Sequence, residues 1–216
     1  MDDLKIAVID KTVKESAPVV MINIENDGEL KFFDDLLIND GIENYILVGL
    51  SGYDWNRDLS PWKAEAIFKN GRDFDGGADE YLKKITDEII PSLNLKARYY
   101  ALAGYSLAGL FALYAGYRCD DFKRIVSASG SLWYPDFLDY ARSHELSSNI
   151  DCLYLSLGDK EAKTRNPIMV TVQENTEAVY ELYKDKIKCI LEMNEGNHFK
   201  DASYRLYKGI RYILSI

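Results

Sequence analysis

The chain has 216 residues and a formal net charge of −9, from 26 Lys and Arg against 35 Asp and Glu. An acidic surface repels phosphate backbones and anionic lipid surfaces, and no Lys/Arg cluster overrides the global sign, so the expectation is no nucleic-acid and no membrane partner. Apolar residues at 47% and aromatics at 12% supply a core rather than a disordered chain, and this length predicts a single domain over 1–216.

The first ten residues, MDDLKIAVID, are acidic where an export signal would be basic. No apolar run approaches the roughly 20 residues that cross a bilayer, so a cytoplasmic location is expected. Cys119, Cys152 and Cys189 are scattered without zinc-site spacing and cannot all pair within one chain, which predicts reduced, mostly buried thiols.

In chain order, β-rich runs fall at 6–9, 19–24, 45–50, 99–104, 124–129, 152–157 and 189–194. Amphipathic helical stretches lie between them at 30–37, 79–90 (closed by Pro91), 107–117, 171–183 and 204–214. This alternation predicts an α/β fold with a mostly parallel sheet and helices on both faces. Ligands of such sheets bind beyond the carboxyl ends of the strands, so the turns that follow the strands are where chemistry is expected.

One of those turns is Gly104-Tyr105-Ser106-Leu107-Ala108-Gly109, between a β run and a helical run. That is the setting of a nucleophile elbow, G-x-S-x-G, in which a strained serine opens a helix and its neighbours two residues away are small. Ala108 departs from the pattern by one methyl. The alternative is that Ser106 only caps the helix.

A serine hydroxyl needs a neighbouring base to take its proton. The chain has two histidines. His144 sits in a polar stretch and reads as a solvated helix end, whereas His198 follows the last strand, where α/β-hydrolases carry their base. The third member is expected to be a carboxylate after the preceding strand, and Asp159 and Glu161 are both candidates. Asp159 has just left the strand and is expected to hydrogen-bond amides of its own turn.

Two oxyanion donors are expected from backbone amides: Leu107, the residue after the nucleophile, and the loop after the 19–24 strand near Glu25 and Asn26. Trp55, Trp62, Trp133 and Tyr134 lie near strand ends and read equally as pocket lining or as core. Phosphate-loop, zinc-protease and dinucleotide signatures are absent. The acidic stretch Asp73-Phe74-Asp75-Gly76-Gly77-Ala78-Asp79 lacks calcium-loop spacing and reads as a loop with a helix start. No metal and no cofactor is expected.

Several strings together resemble the esterase D and enterochelin-esterase group of α/β-hydrolases. WNRDLSPW at 55–62 is similar to that group's R-D-L-T-P loop, and FDGGADEYLKKITDEIIP at 74–91 to its G-G-A-D helix start and E-x-x-P helix end. GYSLAG at 104–109 resembles its G-H-S-L-G-G elbow, SASGSLWY at 127–134 its S-x-S-G-S-x-W-W segment, and EGNHF at 195–199 its G-G-H-x-F ending. The resemblance implies an α/β-hydrolase fold trimmed at the N-terminus, without an extra lid or carbohydrate-binding module. It also implies an acid at G-x-x-[DE], which falls on Glu161 rather than Asp159. Tyr105 stands where the group has His, Ala108 where it has Gly, and Glu25-Asn26 where it has His-Gly.

The expected function is therefore hydrolysis of a small-molecule carboxylic ester through an acyl-enzyme, with Ser106 as nucleophile, His198 as base and Glu161 as acid. A thioesterase or acyltransferase on the same residues, or a non-catalytic binding protein of the same fold, is the alternative.

Overall fold

Apolar strands that alternate with amphipathic helices bury both by stacking helices on the two faces of one sheet. The computed structural model, which describes residues 4–67 and 69–216, has this arrangement. In chain order the elements are β1 (Lys5–Asp10), β2 (Ala17–Asn23), α1 (Asp27–Asn39), β3 (Ile46–Ser51), α2 (Trp55–Asp58), β4 (Lys63–Ala64) and β5 (Phe74–Asp75). Next come α3 (Ala78–Lys83), a π-helical segment (Lys84–Ile89), α4 (Ile90–Leu93), β6 (Ala97–Tyr105), α5 (Leu107–Arg118) and β7 (Phe122–Ala128). The chain ends with α6 (Phe137–Ser143), β8 (Cys152–Gly158), a short 3-10 turn (Met169–Thr171), α7 (Val172–Tyr183), β9 (Lys188–Asn194) and α8 (Ala202–Ser215).

Among the described residues the main sheet has seven strands in the order β1-β3-β2-β6-β7-β8-β9. Only β1 is antiparallel, to β3; the other neighbours are parallel. Every residue of β2 is buried, as a central parallel strand covered on both faces requires. Its alternation assigns the layers: Val19 and Met21 pack with α5, α6, α7 and the 78–93 helix, while Val20 and Ile22 pack with α1 and α8. Each fully buried aliphatic side chain contributes roughly 1.5–3 kcal/mol. At the edge, β1 leaves Ile6 and Val8 exposed.

One helix departs from expectation. The 79–90 stretch does not stop at Pro91 but continues to Leu93, where Asn94 adopts φ 46° and ψ 40° and ends it. Pro91 falls in the first turn of α4, directly after the π segment, where a missing N–H costs least. The short α6 and the β4–β5 ribbon carry too little periodicity to be read in sequence. Among the described residues no helix is long and apolar enough to cross a membrane. The three cysteines are unpaired, and burial pushes their thiols up to about 11 for Cys119 and Cys152 and about 12 for Cys189.

Candidate active site

The strand β6 ends at Tyr105 and α5 begins at Leu107, which leaves Ser106 in the turn with φ 59° and ψ −123°. A non-glycine residue held there is strained by about 1–3 kcal/mol. Close approach of strand and helix dictates its neighbours. A Cβ on Gly104 would lie 2.2 Å from the Ala108 carbonyl oxygen and 2.8 Å from its methyl, so only glycine fits opposite Ala108. The turn is tied to β7 by the Ser106 N–H, which donates to Ala128 O at 3.1 Å.

The parallel strands β8 and β9 bring two further turns to the same end of the sheet. His198 follows β9, and its Nε2 lies 2.9 Å from Ser106 Oγ. Glu161 follows the end of β8 at Gly158, and its Oε2 lies 2.7 Å from His198 Nδ1. The other oxygen, Oε1, accepts the Gly158 N–H at 2.7 Å, the Ser129 hydroxyl at 2.8 Å and Arg205 Nη1 at 2.9 Å. Burial pushes the Glu161 carboxyl up. The His198 ring, the Gly158 N–H and the Ser129 hydroxyl outweigh it and hold the carboxyl below its usual value.

The two carboxylates weighed in sequence thus separate. Asp159 does not bond its own turn; its Oδ1 accepts the Gly196 N–H at 2.7 Å and stitches the β8 turn to the loop that carries His198. His144 lies exposed just beyond α6, with Nδ1 2.9 Å from Tyr140 O. Tyr105, in place of the His seen in the resembling group, donates its hydroxyl to His198 O at 2.6 Å.

Ser106, Leu107 and His198 line a cavity of about 710 Å³. Its walls are largely apolar, with Trp55, Phe74, Trp133, Met169 and Phe199 around the reacting atoms. Asp54 caps the N-terminus of α2 by accepting the Arg57 N–H at 2.9 Å, and its carboxylate is paired with Arg72 on the facing loop. The Arg72 guanidinium holds the Asp54 carboxyl down at about 2.

Of the four aromatics, Trp55 and Trp133 line this cavity. Trp62 and Tyr134 do not. They are packed together with Phe137 and Tyr140, and Trp62 Nε1 donates to Pro135 O at 3.0 Å while the Tyr134 hydroxyl donates to Trp62 O at 2.6 Å. Asn26 likewise does not line this cavity. It lines an adjoining cavity and caps α1, its Oδ1 accepting the Gly28 N–H at 3.0 Å. The Glu25 N–H is taken by Glu29 Oε2 at 3.2 Å. Leu107 opens α5, where first-turn amides have no acceptor within the helix.

Sequence reading passed over Ser129, Ser131 and Arg205. The serines carried one signal, their place in the turn after a strand. Ser131 lines the cavity with Oγ 3.4 Å from Ser106 Oγ. Arg205 had no signal, since an arginine in an amphipathic helix normally faces water; here it is 2% exposed.

With this geometry in hand, the family described as Putative esterase matches residues 10–192, a span that includes Ser106 and Glu161. The chain belongs to this family. It is a family of carboxylic ester hydrolases. The uncharacterized protein YbbA of Bacillus subtilis (strain 168) is 22% identical over 166 residues, which are 74% of this chain and 66% of YbbA. An IroE-like serine hydrolase from Shewanella oneidensis superposes over 98% of this chain and 75% of its own, with 21% identity and a TM-score of 0.76. The siderophore hydrolase EstA from Aspergillus nidulans does so over 98% of this chain and 90% of its own, with 20% identity and a TM-score of 0.73. These structural likenesses establish a shared α/β fold, and in this esterase-family chain the turns after β6, β7 and β9 line one cavity, with Glu161 of the turn after β8 bonded to His198.

Proposed function

We propose that the protein is a serine esterase that cleaves a small-molecule carboxylic ester through an acyl-enzyme formed on Ser106. The observation that carries this reading is the continuous chain from Ser106 Oγ through the His198 ring to Glu161, opening on an apolar cavity. With the His198 Nδ1–H donating to Glu161, Nε2 is left as the acceptor for the Ser106 proton. Oγ then attacks the ester carbonyl, and the developing oxyanion is met by the Leu107 N–H, aided by the positive end of α5. His198 returns the proton to the departing alcohol. In the second half, water attacks the acyl-enzyme with His198 again as base, and the acid is released with Ser106 restored. Glu161 stays ionised throughout and stabilises the imidazolium.

The volume and apolar walls of the cavity suit an ester with one substantial apolar portion. A siderophore, the substrate class named for the Aspergillus nidulans neighbour, belongs among the compounds to be assayed. The test is labelling by a fluorophosphonate probe together with hydrolysis of an uncharged phenyl ester. Wild type is expected to label and turn over, and Ser106→Ala to do neither. Labelling that persists in Ser106→Ala would put the nucleophile elsewhere.

A further inference from the structure

Beside the Ser106 cavity lies a second one of about 460 Å³, and Tyr53 and Trp55 contribute to the walls of both. Tyr105, immediately before Ser106, and Ala108, in the first turn of α5, also line it. The chemistry of Ser106, His198 and Glu161 makes no use of this space.

Its polar lining consists largely of acceptors. Glu25, in the turn between β2 and α1, and Glu29, in the first turn of α1, bring carboxylates, and neither has an ion-pair partner among the described residues. Among the described residues Glu29 accepts only neutral donors, the Glu25 N–H and the Ser203 hydroxyl, each at 3.2 Å. Burial pushes the Glu29 carboxyl up, and the neighbouring Glu25 charge adds to the effect. No cationic side chain among the described residues is paired with either carboxylate to neutralise its charge.

Asn23, at the end of β2, supplies an independent sign of a missing ligand. It is 6% exposed and lines the cavity; its Nδ2 donates to the Tyr81 hydroxyl at 2.7 Å, while Oδ1 is buried without a partner. A buried acceptor with no donor costs about 1–3 kcal/mol. The rings of Phe32, Tyr53 and Trp55 complete the wall. Carboxylates, an unfilled amide oxygen and aromatic faces together are the groups that recognise an organic cation.

We propose that this second cavity binds an alkylammonium group carried by one half of the ester substrate. The proposal rests on the esterase reading, because a bond cleaved at Ser106 divides a substrate into two halves and two cavities meet beside that residue. An ammonium ion would supply a donor for Asn23 Oδ1 and a charge for Glu25 and Glu29, and would lie against the aromatic wall.

The test is calorimetric binding to the Ser106→Ala protein, which holds intact esters without turnover. Protonated dimethylaminoethyl acetate, whose tertiary ammonium carries one N–H, is compared with its uncharged isopropyl isostere, isopentyl acetate, placing the cation in the alcohol half. The methyl ester of dimethylaminobutyrate, likewise protonated, is compared with its own uncharged isopropyl isostere, placing it in the acyl half. At least one cation is expected to bind about tenfold or more tighter than its isostere. Adding Glu25→Gln and Glu29→Gln should bring that preference to within about twofold, because Gln keeps the hydrogen bonds and removes the charge. Glu25→Gln alone, at an exposed position, should lower it part of the way and covers the case in which the multiple variant does not fold. Glu181→Gln, a surface change on α7, should leave it intact. No preference for either cation, or one that survives the Gln substitutions, overturns the proposal. Wild-type hydrolysis of the uncharged phenyl ester decides the esterase reading separately, so either can fail without the other.

Discussion

Arg205 Nη1 lies 2.9 Å from Glu161 Oε1, the carboxylate oxygen that His198 does not use, and both side chains are almost fully removed from water. The same guanidinium donates from Nη2 to the carbonyls of Glu195 and Asn197, at 3.1 and 3.0 Å, in the loop that carries His198. One arginine from α8 therefore braces Glu161 and the loop of His198 together. Removing one partner of a buried ion pair typically costs about 3–5 kcal/mol, because the other is left charged and alone. Arg205→Met should destabilise by that order in urea unfolding. Arg205→Lys should recover only part of the loss, since an ammonium cannot reproduce the fork that spans carboxylate and carbonyls. A stability change of less than about 1 kcal/mol in Arg205→Met would show that the brace is dispensable.

The two carboxylates of the β8 turn should separate in kinetics. Glu161→Gln is expected to lower kcat by about 10⁴-fold, because the amide neither holds the histidine tautomer nor offsets the imidazolium charge. Asp159→Asn should leave kcat within about tenfold and show its effect in thermal stability, since Asp159 only ties Gly196 to its turn. Collapse of turnover in Asp159→Asn with survival in Glu161→Gln would reverse the assignment.

The depressed Glu161 carboxyl also makes a pH prediction. A carboxyl held below its usual 4.5 in the folded state binds fewer protons there than in the unfolded chain. Its stabilising contribution is thus complete above 4.5 and is lost as pH falls through the depressed folded value. In Glu161→Gln that contribution is missing at every pH. The stability gap between wild type and Glu161→Gln, read from urea midpoints between about pH 6 and pH 3, should be widest at the upper end and close towards the lower. A gap that stays constant across this window would deny the shift.

Backbone strain at Ser106 makes a prediction in which activity and stability part. At φ 59° and ψ −123° a Cβ is penalised, and glycine escapes the penalty. Ser106→Gly and Ser106→Ala should both be inactive, yet the glycine variant should be the more stable by about 1 kcal/mol, after allowing for its greater unfolded-state entropy. Equal midpoints in differential scanning calorimetry would mean the turn stores no strain. Gly104→Ala should do the reverse, since its new methyl would run into the Ala108 backbone at 2.2 Å and force strand and helix apart.

The layered fold was legible in sequence because apolar spacing is a local property. The apolar run of β2 and the spaced apolar residues of α1 and α8 appear in order along the chain. The turns that carry Ser106 and His198 were legible for a related reason: each directly follows a strand, and parallel strands deliver such turns to one end of a sheet. The turn after β8 offered both Asp159 and Glu161, and the resemblance to the esterase group pointed to Glu161. What tertiary structure alone decided are the relations between segments far apart in the chain. Trp62 and Trp133 look alike in sequence, but contacts with Tyr134, Phe137 and Tyr140 draw Trp62 into the core while Trp133 faces the cavity. Asn26 follows the strand after which an oxyanion donor was expected, and only the structure shows that its side chain caps α1 and that it lines the neighbouring cavity. Asp159 was expected to serve its own turn and instead bonds Gly196, a partner 37 residues away. Arg205 looks like any solvent-facing helical arginine until α8 packs against the sheet and carries it to Glu161, 44 residues earlier in the chain. Periodicity reports which face of an element is buried. Only packing determines what that face meets.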